Sequence, residues 1–155
     1  MLQCQVDSFY KITMTLAHLI KEHLKINGIV ENASGWKCYI GKLPDSTFAP
    51  DNAVALIEQP AQPVDNDSRY ESDGIPLLIG SLKIIIRGID YKITMRHFEE
   101  LCRSLDLITN SQIVDEHGKL TTIQTCIRQG GIQYQGYCSA NRRHIATVTY
   151  AINIT

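Results

Sequence analysis

The run Ala53-Val54-Ala55-Leu56-Ile57 contains no polar side chain. Five apolar residues between Asn52 and Glu58 suit a central strand with both faces covered. Such a strand needs neighbours, and the rest of the chain supplies them. Leu77 to Ile89 is apolar and β-branched, is interrupted by Gly80-Ser81, and is charged only at Lys83 and Arg87. Trp36 to Gly41 reads as a short strand ended by Leu43-Pro44-Asp45. Thr121 to Arg128, Ile132 to Tyr137 and Ile145 to Ile154 also have β character. Turns are expected at Asp115-Glu116-His117-Gly118 and at Gly130-Gly131, and a break at Asn110-Ser111.

Two segments carry helical periodicity instead. Phe9, Ile12, Leu16, Leu19, Ile20 and Leu24 recur at three- and four-residue steps. Asp7 or Ser8 would cap that helix, and Asn27-Gly28 would end it. In the second segment Asp90 is the expected cap, and Met95, Phe98, Leu101, Cys102 and Leu105 form the stripe. The order of elements predicts an α+β fold: a single domain, 1–155, with a mixed β-sheet of about four to six strands. Two α-helices would pack on one face, and a long acidic loop would run through residues 61–75. That stretch holds Asp65, Asn66, Asp67, Ser68, Glu71, Ser72, Asp73 and Gly74, too polar to build a core of its own, so a flexible loop or extended arm is expected.

The 155 residues suffice to bury a core without metals or cross-links. No run approaches the length of a membrane span. Met1-Leu2-Gln3-Cys4-Gln5 lacks the basic run and apolar core of a signal peptide. Cys4, Cys38, Cys102, Cys126 and Cys138 form no C-x-x-C pair, so reduced thiols in a cytosolic setting are expected. Charge is unevenly distributed. Residues 1–116 hold 11 basic and all 16 acidic side chains, a formal −5, whereas residues 117–155 hold four basic and no acidic ones, a formal +4. Such asymmetry suits head-to-tail contact between copies.

No catalytic signature stands out. His18 and His23 are five apart, off the i, i+4 spacing of a metal-binding pair. His97 stands near Glu99 and Glu100 without a second histidine, and His117 falls in a turn. A phosphate-binding glycine loop and a nucleophile elbow are both missing. The Asp65–Asp73 acids lack the glycine and terminal glutamate of a calcium loop. A Cys–His pair, for example Cys138 with His144, is a nucleophile–base arrangement that folding could assemble without a sequence motif. The expectation is therefore no catalytic, cofactor or metal site. Asn141-Arg142-Arg143 is the sharpest polar cluster. It reads either as a solvated hairpin turn or as an arginine pair that grips carboxylates of a neighbouring subunit, with Tyr134 and Tyr137 packing at the same contact.

Three stretches carry a family resemblance. Ala53 to Pro60 followed by the acidic stretch is similar to an "A-hydrophobic-Y/E-x-P/G" strand and loop. Leu82 to Tyr91 resembles a "V-x-V-R-G-x-x-Y" strand-to-helix junction. Tyr134-Gln135-Gly136-Tyr137 through Asn153 resembles a closing "Y-L-G-x-D-x-N-G-R-x-x-x-x-x-N" hairpin, with Asn141-Arg142-Arg143 in place of Asn-Gly-Arg. These are features of the minor capsid and tail terminator proteins of long-tailed bacteriophages, and the resemblance covers roughly residues 36–154. It implies a structural virion protein at the tail–neck junction, assembled in the host cytoplasm. Copies would form a homo-oligomeric ring, typically a hexamer, that caps the tail tube protein and ends its polymerisation. The ring would meet the neck or head-completion protein and pass DNA through its lumen without reading sequence. The candidate contact residues are Asp65, Asp67, Arg69, Glu71, Asp73, Tyr134, Tyr137, Asn141, Arg142 and Arg143. A neck connector is the alternative, and a small ligand-binding domain or enzyme, with a pocket and a perturbed His, Cys or carboxylate, is a third.

Overall fold

The computed structural model describes residues 15–44, 49–59, 78–114, 118–139 and 142–154. Helix α1 spans Leu16–Ile26 and buries Leu19, Ile20 and Leu24 of the expected stripe, together with Ala17, while Leu16 is half-buried. Its cap is Thr15, whose hydroxyl accepts the His18 N–H at 3.3 Å. The expected caps Asp7 and Ser8, with Phe9 and Ile12, lie outside the described residues. Asn27 closes the helix and Gly28 follows at φ +72°, where glycine carries no Cβ penalty. Helix α2, Tyr91–Asp106, begins where the sequence predicts. The Asp90 carboxylate accepts the Ile93 N–H at 2.9 Å, and Phe98, Leu101, Cys102 and Leu105 are buried.

The described strands are β1 (Lys37–Ile40), β2 (Ala53–Gln59), β3 (Leu78–Gly88), β4 (Thr109–Val114), β5 (Leu120–Arg128), β6 (Gln133–Cys138) and β7 (Arg143–Ile154). They form one mixed sheet in the order β1-β2-β3-β7-β5-β4, with β6 also paired to β7. Only β1 and β2 run parallel. Both helices lie on one face of the sheet. There Val54, Leu56, Leu82, Ile84, Ile86, Ala146, Val148, Tyr150 and Ile152 meet Leu19, Ile20, Leu24, Phe98, Leu101 and Leu105 in a continuous core. The molecule is thus a single α+β domain, as expected. β2 has both faces covered along Ala53 to Leu56, all at 0% exposure, which explains its unbroken apolar run.

Three local expectations are corrected. Asn110-Ser111 is not a break but part of β4, which raises the strand count above the predicted range. Gly80-Ser81 does not interrupt β3. Gly80 stays in the ladder opposite Ile152, and a Cβ there would come within 2.4 Å of the Leu16 side chain. Gly130-Gly131 does not reverse the chain. Strands β5 and β6 run in the same direction along one edge of β7, β5 against Tyr150–Ile154 and β6 against Arg143–Thr147. Between them Gln129 N–H donates to Thr149 O at 2.7 Å, so the glycines form a jog within one long interrupted strand. The acidic stretch 61–75 lies outside the described residues.

Candidate interaction surface

Strand pleat decides what the β6–β7 hairpin presents. Tyr137 pairs with His144, and Cys138 pairs with Arg143. Successive side chains point to opposite faces, so Cys138 and His144 are on opposite sides of the sheet. The Cys–His pair that the sequence allows is therefore not assembled. On the His144 side an aromatic cluster forms instead. The Tyr134 hydroxyl and His144 Nδ1 are 2.7 Å apart, the Tyr137 ring centroid lies 4.7 Å from that of His144, and Tyr91 meets Tyr134 edge-on at 5.2 Å. Tyr91, at the first turn of α2, is brought there by the strand-to-helix junction. Gly88 ends β3 against His144, and a Cβ on Gly88 would fall 1.9 Å from the Thr94 hydroxyl. Only glycine lets the helix start this close to the strand.

The three tyrosines are 43–51% exposed, and Ile89 beside Tyr91 in sequence is 54% exposed. Strand β6 pairs with β7 alone among the described residues, so its outer edge is open. Large rings beside an open strand edge make this a candidate contact surface, because tyrosine offers contact area at low entropic cost.

The arginines divide. Arg142 is exposed in the hairpin turn at φ +57°, a backbone region that glycine adopts without a Cβ penalty. Arg143 is 3% exposed and turns inward. Its Nε and Nη2 reach Asp51 Oδ1 at 3.2 and 3.1 Å, and its Nη2 also donates to Ala49 O at 2.9 Å. Arg87, 2% exposed, donates to Pro44 O at 2.5 Å and to Pro50 O at 2.8 Å. Both guanidiniums thus anchor the connector between β1 and β2. The pair of arginines gripping a neighbour is corrected in this respect: Arg143 is held within its own chain. Arg128 likewise pairs with Asp106, so much of the basic excess after residue 117 is neutralised internally. Tyr134 and Tyr137 both lie against His144. Asp65, Asp67, Arg69, Glu71, Asp73 and Asn141 lie outside the described residues.

Sequence reasoning missed Tyr91 and His144 as members of the cluster. The alternating pattern of β7 was legible, but the register that puts His144 opposite Tyr137 was not. A second feature is a cleft of about 570 Å³ between the C-terminal ends of α1 and α2, lined by His23, Asn27, Arg103, Ser104 and Ser111 among others. His23 Nε2 lies 3.1 Å from the Ser104 hydroxyl, and burial holds its imidazole below the usual range although the Ser104 backbone opposes this. A serine beside a neutral histidine invites a nucleophile reading. The helix ends argue against it, because carbonyl dipoles from two C-termini disfavour the oxyanion that such chemistry must stabilise. Among the described residues no group of three or more His, Cys, Asp or Glu side chains is placed to hold a metal ion. No described helix is long and apolar enough to cross a membrane.

The sequence matches no protein-family model and no curated protein.

Proposed function

We propose that this chain is a structural assembly subunit whose copies join head to tail in a closed ring, and that the ring caps the tail tube of a long-tailed phage. The observation that carries the assembly reading is the exposed cluster of Tyr91, Tyr134 and Tyr137 around His144, beside the open edge of β6. The cluster stands at the Gly88 end of β3. The chain enters and leaves the acid-rich stretch at Gln59 and Leu78, at the opposite end of that strand. Eleven residues at the usual strand rise separate the two ends by about 33 Å. A closed ring needs two different complementary surfaces on each subunit, and the tyrosine cluster is one candidate for them. The tail reading rests on the resemblance of the strand, junction and hairpin motifs. On that reading the ring is hexameric, meets the tube protein on one face and the neck protein on the other, and leaves DNA to pass through its lumen.

The test is electron microscopy of the chain mixed with its tube protein, beside native mass measurement of the chain alone and of Tyr134→Ser/Tyr137→Ser. Rings at one end of tubes of limited length, absent with the double variant, are the expected result. Monomers that leave the tubes unaltered would overturn the reading. Rings that bind only the head-side connector would make the protein a neck component.

A further inference from the structure

A second charged surface lies at the opposite sheet edge. Lys21 and Lys25, one turn apart on α1, and Lys37, at the start of β1, line a groove of about 460 Å³ with Glu31, Asn32, Cys38 and Tyr39. Three ammonium groups against one carboxylate give the lining a formal +2. None of these lysines belongs to the C-terminal region in which the sequence concentrates its positive charge.

Glu31 organises the groove. Its backbone sits at φ 60°, ψ −173°, a region that side chains other than glycine's avoid. Four contacts hold it there. Its N–H donates to Trp36 O at 2.7 Å, its Oε1 accepts the Cys38 N–H at 3.0 Å, and its carboxylate lies 3.3 Å from Lys37 Nζ and 3.7 Å from Lys21 Nζ. Burial alone would raise this carboxyl. The Cys38 N–H and the two lysines outweigh it and hold the group below the usual carboxylate range, so it stays ionised.

The Cys38 contact shows which way the edge groups point, with the Cys38 N–H itself already taken by Glu31. Lys37 and Gly41 N–H point inward, to Asn52 O and Leu56 O of the β2 side. By alternation Cys38 and Ile40 point their N–H and C=O groups outward. The Glu31 carboxylate therefore stands where the carbonyl of an added strand would stand. Beyond it the outward backbone of Ile40 continues along an edge that pairs with no further strand among the described residues, and Ile40 is 37% exposed.

We propose that this groove docks an extended acidic segment, and that the segment is the Asp65–Asp73 stretch of a second copy of the chain. The inference rests on the ring reading and names its contact. Residues 60–77 carry Asp65, Asp67, Glu71 and Asp73 against Arg69 alone, a formal −3 facing the groove's +2. Eighteen residues lie between Gln59 and Leu78, which end neighbouring paired strands, so the stretch must go out and return and its middle can stand about 30 Å from that end of the sheet. An extended peptide on an open strand edge gains main-chain hydrogen bonds, while flanking charges select its sequence.

Two measurements test this together. A synthetic peptide of residues 60–77 is titrated into a chain whose own stretch is neutralised (Asp65→Asn, Asp67→Asn, Glu71→Gln, Asp73→Asn). Binding is expected, weakened about tenfold or more by Lys21→Glu/Lys25→Glu/Lys37→Glu and by raised salt. Native mass spectrometry then follows two full-length variants, one with the three lysines reversed and one with the four acids changed to lysine. Each alone is expected to be monomeric, and an equimolar mixture to recover rings, because every groove in an alternating ring again meets the opposite charge. Peptide that fails to bind, or that binds equally to the lysine-reversed chain, overturns the docking inference even if wild-type rings persist. Variants that stay assembled, or a mixture that stays monomeric while wild type forms rings, overturn the exchange between copies. Wild type that never forms rings while the peptide binds at the lysines would remove the ring reading and leave the groove's ligand class standing.

Discussion

At the scale of single residues, two backbone positions dictate what the hairpin and the junction can present. Arg142 takes φ +57° at the turn between β6 and β7. The left-handed region crowds a Cβ against the following carbonyl, so a side chain there is a cost that glycine avoids. Arg142→Gly is expected to stabilise the fold by about 0.5–1 kcal/mol, after allowing for the extra freedom glycine has when unfolded. A urea midpoint that falls rather than rises would show that the Arg142 side chain holds the turn by some other contact. Gly88 is the opposite case, because space rather than φ constrains it. A Cβ would lie 1.9 Å from the Thr94 hydroxyl and 3.0 Å from the Thr94 Cβ. Gly88→Ala is expected to cost about 1–3 kcal/mol, as overpacking does. Because the hydroxyl is the nearer atom, Thr94→Ala in the same chain should recover part of that loss. Additive effects in the double-mutant cycle would mean that the two residues do not collide.

At the scale of elements, the tie between β7 and α2 is Tyr150, fully buried, whose hydroxyl donates to Cys102 O at 3.2 Å and to Asp106 Oδ1 at 2.9 Å. Tyr150→Phe keeps the ring and removes the donor, so the expected loss is about 1–2 kcal/mol. Thermal unfolding at neutral pH measures it, and an unchanged midpoint would mean that water replaces the hydroxyl without penalty. Tyr150 also shows what could be read in advance. Helix α2 was legible from its cap to its stripe, and β2 from its apolar run, because each signal is local. The jog at Gly130-Gly131 was not. Two glycines after a strand signal a reversal in any local reading, and only the ladder with β7 shows that the chain continues forward. Strand β4 was hidden for a related reason. Of its six residues Ile113 alone is buried, so no alternation announces it. The same limit applies to the candidate surface. Tyr134 and Tyr137 were legible as aromatics near a turn, but Tyr91 acquires its neighbours Tyr134 and His144 only through pairing over long sequence separations. Arg143 was misread because a charged residue beside a turn is usually solvated, whereas this one meets Asp51, 92 positions earlier.

At the scale of the whole molecule, half-buried histidines couple the helical layer to pH. His97 lies flat on Trp36, with ring centroids 4.3 Å apart, and its Nε2 is 2.8 Å from Ile29 O, which joins α2 to the chain after α1. His23 bridges α1 to α2 through Ser104. Burial lowers both imidazoles below the ordinary 6.5; the Ile29 carbonyl and Glu100 oppose this at His97, and Ser104 opposes it at His23. A lowered histidine pKa means that the unfolded chain takes up protons first as pH falls. The contribution of these residues is therefore fully present above 6.5 and is lost as pH falls from there through the folded values. Glu31 acts in the same direction at lower pH. Its carboxyl is held below the ordinary 4.5, so its contribution is present above that value and disappears as acid protonates it in the fold. Stability is thus expected to fall in two separate stages on acidification, the first from the histidines and the second from carboxylates. His97→Gln should shrink the first stage and leave the second unchanged. It should also lower stability at pH 8 by about 1 kcal/mol through loss of the stacked ring. Urea unfolding of wild type and variant at half-unit intervals from pH 8 to acid would resolve both stages. A wild-type midpoint that stays flat below 6.5, or a variant with the same upper stage as wild type, would show that the packing of α2 on the Ile29–Trp36 turn does not depend on a neutral His97.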